Sequence, residues 1–358
     1  MKDYSIAVIP GDGIGGEVVA AAMEVLAVLA ERDGGFRLVA RSFDWGSERY
    51  RRTGTMMPGD GVDQLKEFDA VLFGAVGARD VPDHVTLWGL RLAICQSLDQ
   101  YANVRPTRIL PGISSPVSSV GPADLDWVIV RENSEGEYSG QGGRSHRGLP
   151  LEVATEVAIF TRAGIERIMR FAFELARSRP RKLLTVVTKS NAQRHGLVLW
   201  DEIAGEIGAQ FPDVRWDRML VDAMTVRMVL DPASLDTIVA TNLHADILSD
   251  LAAALSGSIG LAPTANLNPE RQFPSMFEPI HGSAFDIAGK GIANPVATFW
   301  SASMMLDHLG EKRAAARLMA AIERVTADSS FHTPDLGGTA TTRQVTDAVI
   351  DAVRRQNI

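Results

Sequence analysis

The chain is predicted to be an α/β protein built on a largely parallel sheet. Two observations predict it. Short apolar runs alternate along the sequence with longer segments of helical periodicity, and the first such run passes into the first helical segment through a glycine-rich turn. The composition agrees: 46% hydrophobic and 22% charged residues over 358 positions suit a water-exposed globular protein with a sizeable core.

The elements follow in order. Ser5–Pro10 reads as a strand, Gly11–Gly16 as a turn, and Gly16–Arg32, rich in Ala, Val and Leu at helical spacing, as a helix. Phe36–Asp44 reads as a second strand, and Ala70–Gly74, Trp127–Val130, Lys182–Val187 and Thr237–Ala240 as short buried ones. Ile159–Ser178 is expected to be an amphipathic helix stopped by Arg179-Pro180. Gly140–Pro150 is polar and glycine-rich, a loop or a hairpin tip, and Ala297 to about Arg324 is helical. No repeat, low-complexity tract or linker separates these parts, so two domains would share strands or cross over.

A formal net charge of −8 with no basic block argues against nucleic acid or an anionic membrane as partner. The single cysteine, Cys95, excludes an intrachain disulfide and fits the reducing cytoplasm. No signal peptide is expected, and no apolar run reaches the ~18 residues of a membrane span.

The segment Thr241–Asp250 (TNLHADILSD) runs on into Leu251–Leu255, a good helix former. Asp246 and Asp250 stand four apart, one turn apart on one helix face. Two carboxylates held so close repel unless a cation joins them, and a divalent ion on oxygen ligands meets that need. The plainer alternative is an acidic helix start with a solvated second aspartate. Gly11-Asp12-Gly13-Ile14-Gly15-Gly16 matches the dinucleotide-binding glycine pattern, with Asp44 at a plausible ribose distance, but Asp12 places a carboxylate inside a turn that should cradle phosphate. Arg105 and Arg131 are expected near strand ends, and their forks match carboxylates bidentately; surface ion pairs are the alternative. Lys189 directly follows an apolar strand and Tyr138 follows an acidic turn, both able to handle protons or simply structural. Glu278–Pro295 is too polar for a core element and reads as a long functional loop.

Together these segments resemble the β-decarboxylating dehydrogenases, the family of isopropylmalate, isocitrate, homoisocitrate and tartrate/D-malate dehydrogenases. Ile9–Glu17, Gly74–Gly77, Asn103–Pro106, Arg131–Tyr138, Thr188–Asn191, Val221–Asp222, Asn242–Asp250 and Glu278–Pro295 carry the likeness. Met56-Met57-Pro58, Leu87-Trp88-Gly89, Asp99-Gln100-Tyr101 and Asn266–Arg271 look most like the tartrate/D-malate branch. The resemblance implies the two-domain isopropylmalate dehydrogenase-like fold, not Rossmann. Domain 1, from both chain ends (1–100 and 257–358), binds NAD; the central domain 2 (101–256) holds substrate and metal and forms a homodimer. It implies NAD- and Mg2+- or Mn2+-dependent oxidation of a small 2-hydroxy dicarboxylate, tartrate or D-malate first, with or without decarboxylation. A K+ requirement is left open. Two alternatives are the same chemistry on a larger 3-substituted malate such as isopropylmalate, and a non-catalytic relative that binds a diacid and NAD.

By the same resemblance Asp246 and Asp250 hold the metal with Asp222 of the other subunit. Lys189, also across the interface, accepts the hydroxyl proton, and Tyr138 protonates C3. Arg105 and Arg131 bind the substrate. His281, Gly282, Ser283, Ala284, Asp286 and Asn294 hold the adenosine half of the cofactor, Asn191 lies near the nicotinamide, and Asp286 favours NAD over NADP by repelling a 2′-phosphate.

The chain departs from the family in several places. An arginine is usual ten residues before Arg105, where Cys95 stands. Arg91, one turn earlier, either replaces that charge or faces solvent beside a small buried Cys95. Trp88 stands where isopropylmalate members recognise the alkyl group. His244-Ala245 replace an aromatic residue and glycine, Phe285 replaces a proline, and Gln193–Leu199, with His195, differs from the tartrate branch.

Overall fold

A computed structural model describes residues 1–355. The chain forms two compact units. The first comprises Met1–Gln100, Arg108–Pro122 and the chain from Ala253 onward; the second comprises Tyr101–Thr107 and Ala123–Ala252.

The first unit opens with β1 (Lys2–Gly11), α1 (Gly15–Asp33), β2 (Phe36–Ser42), α2 (Ser47–Thr53), α3 (Gly61–Leu65), β3 (Ala70–Ala75), α4 (Asp83–Thr86), a π-helical turn over Leu87–Arg91, and α5 (Leu92–Ser97). Val18, Val19, Ala22, Val25, Leu26 and Leu29 give α1 one buried stripe, and Gly34, at φ +66°, closes it. The π turn holds one more residue per hydrogen-bonded ring than an α-helix, a distortion common at functional sites.

The second unit contains β4 (Ala102–Arg108) but for its last residue, β5 (Asp126–Glu132), β6 (Gly136–Ser145), β7 (Val153–Ile159), α6 (Arg162–Ser178), β8 (Leu183–Thr188), α7 (Gly196–Gly208), β9 (Arg215–Leu220), α8 (Val221–Leu230), β10 (Thr237–Ala240) and most of α9 (Asn242–Leu255). Strands β5, β10, β8 and β9 are neighbours in that order and pair in parallel. β6 and β7 form a separate antiparallel hairpin. Two expectations need correcting here. Residues 140–145 continue β6 as strand, because they pair with β7, and the chain reverses beyond Ser145. Ile159 ends β7, so α6 begins three residues later than expected; Thr161 caps it by accepting from Gly164 N, a stronger local signal than the apolar periodicity that runs through both elements.

The chain then returns to the first unit with β11 (Pro263–Leu267), β12 (Ser275–Pro279), α10 (Val296–His308), α11 (Lys312–Thr326) and α12 (Thr342–Arg355). The strand order there is β2-β1-β3-β12-β11, parallel except for the antiparallel β11–β12 pair. Among the described residues no helix is long and apolar enough to cross a membrane.

Candidate active site

In the second unit, one carboxylate gathers the expected substrate side chains. α9 buries Ala245, Leu248, Ser249, Ala252 and Ala253 along one side, which leaves Asp246 half-buried and Asp250 exposed. Asp246 Oδ2 accepts from the Tyr138 hydroxyl at 2.9 Å. Asp246 Oδ1 accepts from Nη1 of Arg131, at close range, and from Nη1 of Arg105 at 3.4 Å. Both guanidinium groups are buried and placed by further neutral partners. Arg105 Nε donates to Asn103 Oδ1 at 2.8 Å and its Nη1 to Ser249 Oγ at 2.5 Å. Arg131 Nε donates to Asn242 Oδ1 at 2.8 Å, and its guanidinium lies 5.2 Å from the Tyr138 ring centre. Arg131 sits near the end of β5 as expected, whereas Arg105 lies mid-strand in β4. Desolvation pushes the Asp250 carboxyl above the usual carboxylate range; the cations Arg105 and Arg131 pull against that shift and the charge of Asp246 adds to it.

Lys189, in the turn after β8, donates to Asp222 Oδ1 at 2.5 Å, and this hydrogen bond holds the Asp222 carboxyl below its ordinary range. Asp222 lies on the first turn of α8, largely exposed. Within one chain Asp222 therefore pairs with Lys189 and does not join Asp246 and Asp250; among the described residues no three acidic, His or Cys side chains gather as a metal cage. Asn191 and His195 are exposed. His244 is buried with its Nδ1 unpaired, and desolvation lowers its pKa.

In the first unit the glycine turn does not present its amides to a phosphate. Asp12 is buried inside it: Oδ1 accepts from Ser47 N at 2.7 Å, and Oδ2 from Ser47 Oγ at 2.7 Å and Gly77 N at 2.9 Å. Gly13, at φ +56°, packs so closely on the loop after β12 that a Cβ would fall 1.9 Å from the Ser283 carbonyl oxygen. The next residue, Ile14, donates its N–H to that oxygen at 2.9 Å. The turn is thus a seat for the loop, and Asp44, exposed and paired with Arg52, has no Rossmann role.

The loop carries His281, buried, with Nδ1 3.0 Å from Gly282 O and Nε2 sealed without a partner; desolvation lowers its pKa. Ser283 and Asn294 are buried, Gly282 and Asp286 are exposed, and Ala284 is held at φ +40°. Ile14, Val18 and Ala293, with Ala284, Ile287 and Ala288 packed on them, pin the loop to α1. Asn294 Nδ2 donates to Asp335 Oδ2 at 3.1 Å and its Oδ1 accepts from Val296 N at 3.1 Å, so its side chain is already committed.

Of the two readings of Arg91, the solvent-facing one needs correcting in part. Cys95 does fill the core, packed among Phe43, Trp45, Met56, Leu90, Ile94 and Leu98. Arg91 does not face solvent: it is drawn inward to Glu278, with Nη2 2.7 Å from Oε1 and only 12% of the side chain exposed. A long cation beside a buried carboxylate is better placed in the pair than on the surface. Trp88, on the same π turn, is 37% exposed.

The family model described as isocitrate/isopropylmalate dehydrogenase matches residues 5–353. The chain belongs to this family. It is 71% identical over its whole length to a protein named probable tartrate dehydrogenase/decarboxylase from Agrobacterium vitis, covering 98% of that protein. It is 50% identical over 99% of its length to the D-malate dehydrogenase [decarboxylating] of Escherichia coli, covering all of it. The tartrate dehydrogenase/decarboxylase of Pseudomonas putida is 47% identical, with 98% of each chain covered. The solved isocitrate dehydrogenase of Methylococcus capsulatus superposes with a TM-score of 0.89 at 36% identity, over 98% of this chain and 100% of that one.

The groups that family membership implies fit the residues present. Asp246 and Asp250 offer hard oxygen donors one turn apart, and a cation would offset the repulsion between them. The exposed Asp286 leaves a polar side chain for an adenosine ribose. Sequence reasoning missed Asn103, Asn242 and Ser249, which orient the arginines, and Glu278 and Asn266, which hold Arg91. Asn242 and Ser249 lie inside the segment read for its aspartates, so the signal was present but neutral. Nothing local to Arg91 points to Glu278, 187 residues away.

Proposed function

We propose that this protein is an NAD- and divalent-metal-dependent dehydrogenase that oxidises tartrate or D-malate, coupled with decarboxylation for substrates whose keto product can lose CO2. The observation that carries the reading is the gathering of the buried Arg105 and Arg131 with the half-buried Tyr138 and Asp246. Two arginine forks and a phenol around one carboxylate suit a substrate with two carboxylates and a proton to be delivered. The names of the relatives support the substrate class.

In this reading Asp246 and Asp250, with Asp222 of a second copy, hold Mg2+ or Mn2+. When bound, the metal supplies Lewis acidity toward the substrate's 2-hydroxyl and keto oxygen. NAD, held by the loop from His281 to Asn294, supplies the hydride acceptor. Asp286 disfavours a 2′-phosphate by like charge. Arg105 and Arg131 bind and orient the carboxylates, and Asn103, Ser249 and Asn242 stop the forks from rotating. Lys189 Nζ takes the hydroxyl proton, with Asp222 fixing its position. The Tyr138 hydroxyl returns a proton to C3 after CO2 departs. Arg91 and Trp88 are the remaining substrate-binding candidates.

A homodimer follows from the partner-supplied Lys189 and Asp222. The second unit supports it: Leu149, Leu151, Val153, Val157 and Ile159 of the hairpin, Val226 and Leu230 of α8, and Ile247 of α9 are large apolar side chains left exposed. The reducing cytoplasm is the proposed location, in keeping with one buried thiol.

The test is NADH formation on D-malate, the tartrate isomers, isopropylmalate and isocitrate, with Mn2+ and with EDTA. Metal-dependent turnover of D-malate or tartrate is expected. Turnover unaffected by EDTA, or confined to isopropylmalate or isocitrate, would refute the assignment.

A further inference from the structure

Glu132 ends β5 directly after Arg131, and only 3% of it is exposed. Both of its carboxylate oxygens are taken by the turn that follows. Oε1 accepts from Ser134 N at 2.9 Å and from Ser134 Oγ at 2.5 Å, and Oε2 accepts from Glu135 N at 2.8 Å. The Ser134 hydroxyl in turn accepts from Arg167 Nη2 at 2.9 Å, and the Arg167 guanidinium lies 4.1 Å from the Tyr101 ring centre. Burial pushes the Glu132 carboxyl above the usual carboxylate range, and the hydrogen bonds from Ser134 and Glu135 pull against that shift. The far side of the turn is tied as well, since Glu135 Oε2 accepts from Thr161 N at 2.9 Å.

The turn reaches the substrate side chains through one carbonyl. Glu135 O accepts from Asn242 Nδ2 at 3.1 Å, and Asn242 Oδ1 accepts from Arg131 Nε at 2.8 Å. A guanidinium can only donate, so Asn242 must turn its oxygen to Arg131, and its NH2 then needs an acceptor on the other side. The Glu135 carbonyl is that acceptor, and the Glu132 carboxylate grips the N–H of the same residue. The desolvation of a buried carboxylate is offset only while its donors stay in place. Any other shape of the turn would leave that charge without them, so the carboxylate makes the turn stiff.

We propose that Glu132 is a positioning residue for substrate binding: its carboxylate fixes the Ser134–Glu135 turn, the Glu135 carbonyl fixes the Asn242 amide, and that amide fixes the Arg131 fork for the substrate carboxylate. This rests on the reading of Arg131 as a substrate ligand given above. Glu132 acts only through Asn242. A neutral side chain of the same shape cannot replace it. Whichever way the amide of Glu132→Gln is turned, its NH2 faces a backbone N–H, of Ser134 or of Glu135, and the turn has to open.

The experiment is a double-variant cycle on the Kd of D-malate or tartrate, whichever the wild type binds more tightly. Calorimetry with Mn2+ and without NAD reads the affinity with no turnover. Glu132→Gln, Asn242→Ala and the two together are compared with wild type, and thermal melts check that each is folded. Each single variant is expected to raise Kd about tenfold. The double variant should raise it by nearly the same factor, because both changes release one restraint on Arg131. Independent losses would multiply to about a hundredfold, and that result overturns the proposal. Wild-type affinity in either single variant overturns it too. If Glu132→Gln does not fold, Glu132→Asp, which keeps the charge but draws it back from the turn by one methylene, takes its place in the cycle with the same refuting outcomes. Arg131→Ala separates the proposal from its parent reading. Wild-type affinity in Arg131→Ala removes both, whereas weak binding in Arg131→Ala beside full binding in Glu132→Gln removes the role of Glu132 only.

Discussion

Asp246→Asn tests the metal assignment and the hub geometry at once. The substitution keeps the shape of the side chain and removes one negative charge from beside two guanidinium groups that are 2% and 4% exposed. Removing one partner of a dry ion pair costs about 3–5 kcal/mol. Asp246 is 35% exposed, so water can replace part of the loss, and Arg105 and Arg131 keep their bonds to Asn103, Ser249 and Asn242. A destabilisation of about 1–3 kcal/mol is expected without metal. The second effect is the linkage to Mn2+. At a free concentration about a hundredfold above Kd, a site present only in the folded state stabilises by about 2.7 kcal/mol. A chain of 358 residues unfolds with an entropy of roughly 0.75 kcal/mol/K, so Mn2+ should raise the wild-type Tm by about 4 °C. Asp246→Asn should start lower and lose most of that rise. The assay is thermal unfolding with EDTA and across a Mn2+ titration, at one protein concentration. A variant that keeps the full Mn2+-dependent rise would refute Asp246 as a metal ligand, whatever its activity.

Three further outcomes are expected. Tyr138→Phe removes the hydroxyl that donates to Asp246 Oδ2 and should lower kcat for D-malate by about 10²–10⁴-fold with a much smaller change in KM; an unchanged kcat in steady-state assays would exclude Tyr138 as the proton donor. Gly13→Ala puts a Cβ 1.9 Å from the Ser283 carbonyl at a left-handed backbone position, so the loop must shift at a cost of about 2 kcal/mol or more; NADH affinity, followed by fluorescence, should fall about 30-fold, and unaltered affinity would show that the turn does not seat the loop. Burial, with Arg271 adding to it, lowers the His308 pKa from 6.5 to about 4. Between those values the unfolded chain binds the proton and the folded chain does not, so stability is full above pH 6.5 and falls as pH drops toward 4, by about 2–3 kcal/mol from this group. Urea melts of His308→Gln should show a flatter pH slope over that window; an identical slope would mean that His308 titrates normally.

What the sequence determined by itself was local. Buried strands such as Thr237–Ala240, the stripe of α1 and the Asp246/Asp250 spacing depend on neighbours within one or two turns, and periodicity encodes those directly. It was weakest where two elements share one apolar pattern, as at Ile159, where β7 ends and the capped start of α6 takes over. The family segments located Arg105, Arg131, Tyr138 and the His281 loop, but not what they do to one another. Only the tertiary structure decided that Asp12 is consumed by Ser47 and Gly77, turning an apparent phosphate cradle into a seat for Ser283. Only it paired Arg91 with Glu278 and set Asn242 and Ser249 against the arginines. The physical reason is common to all of these. A buried charge must find its partner wherever the chain folds back to supply one, and side-chain hydrogen bonds between distant segments leave no periodic trace in the sequence.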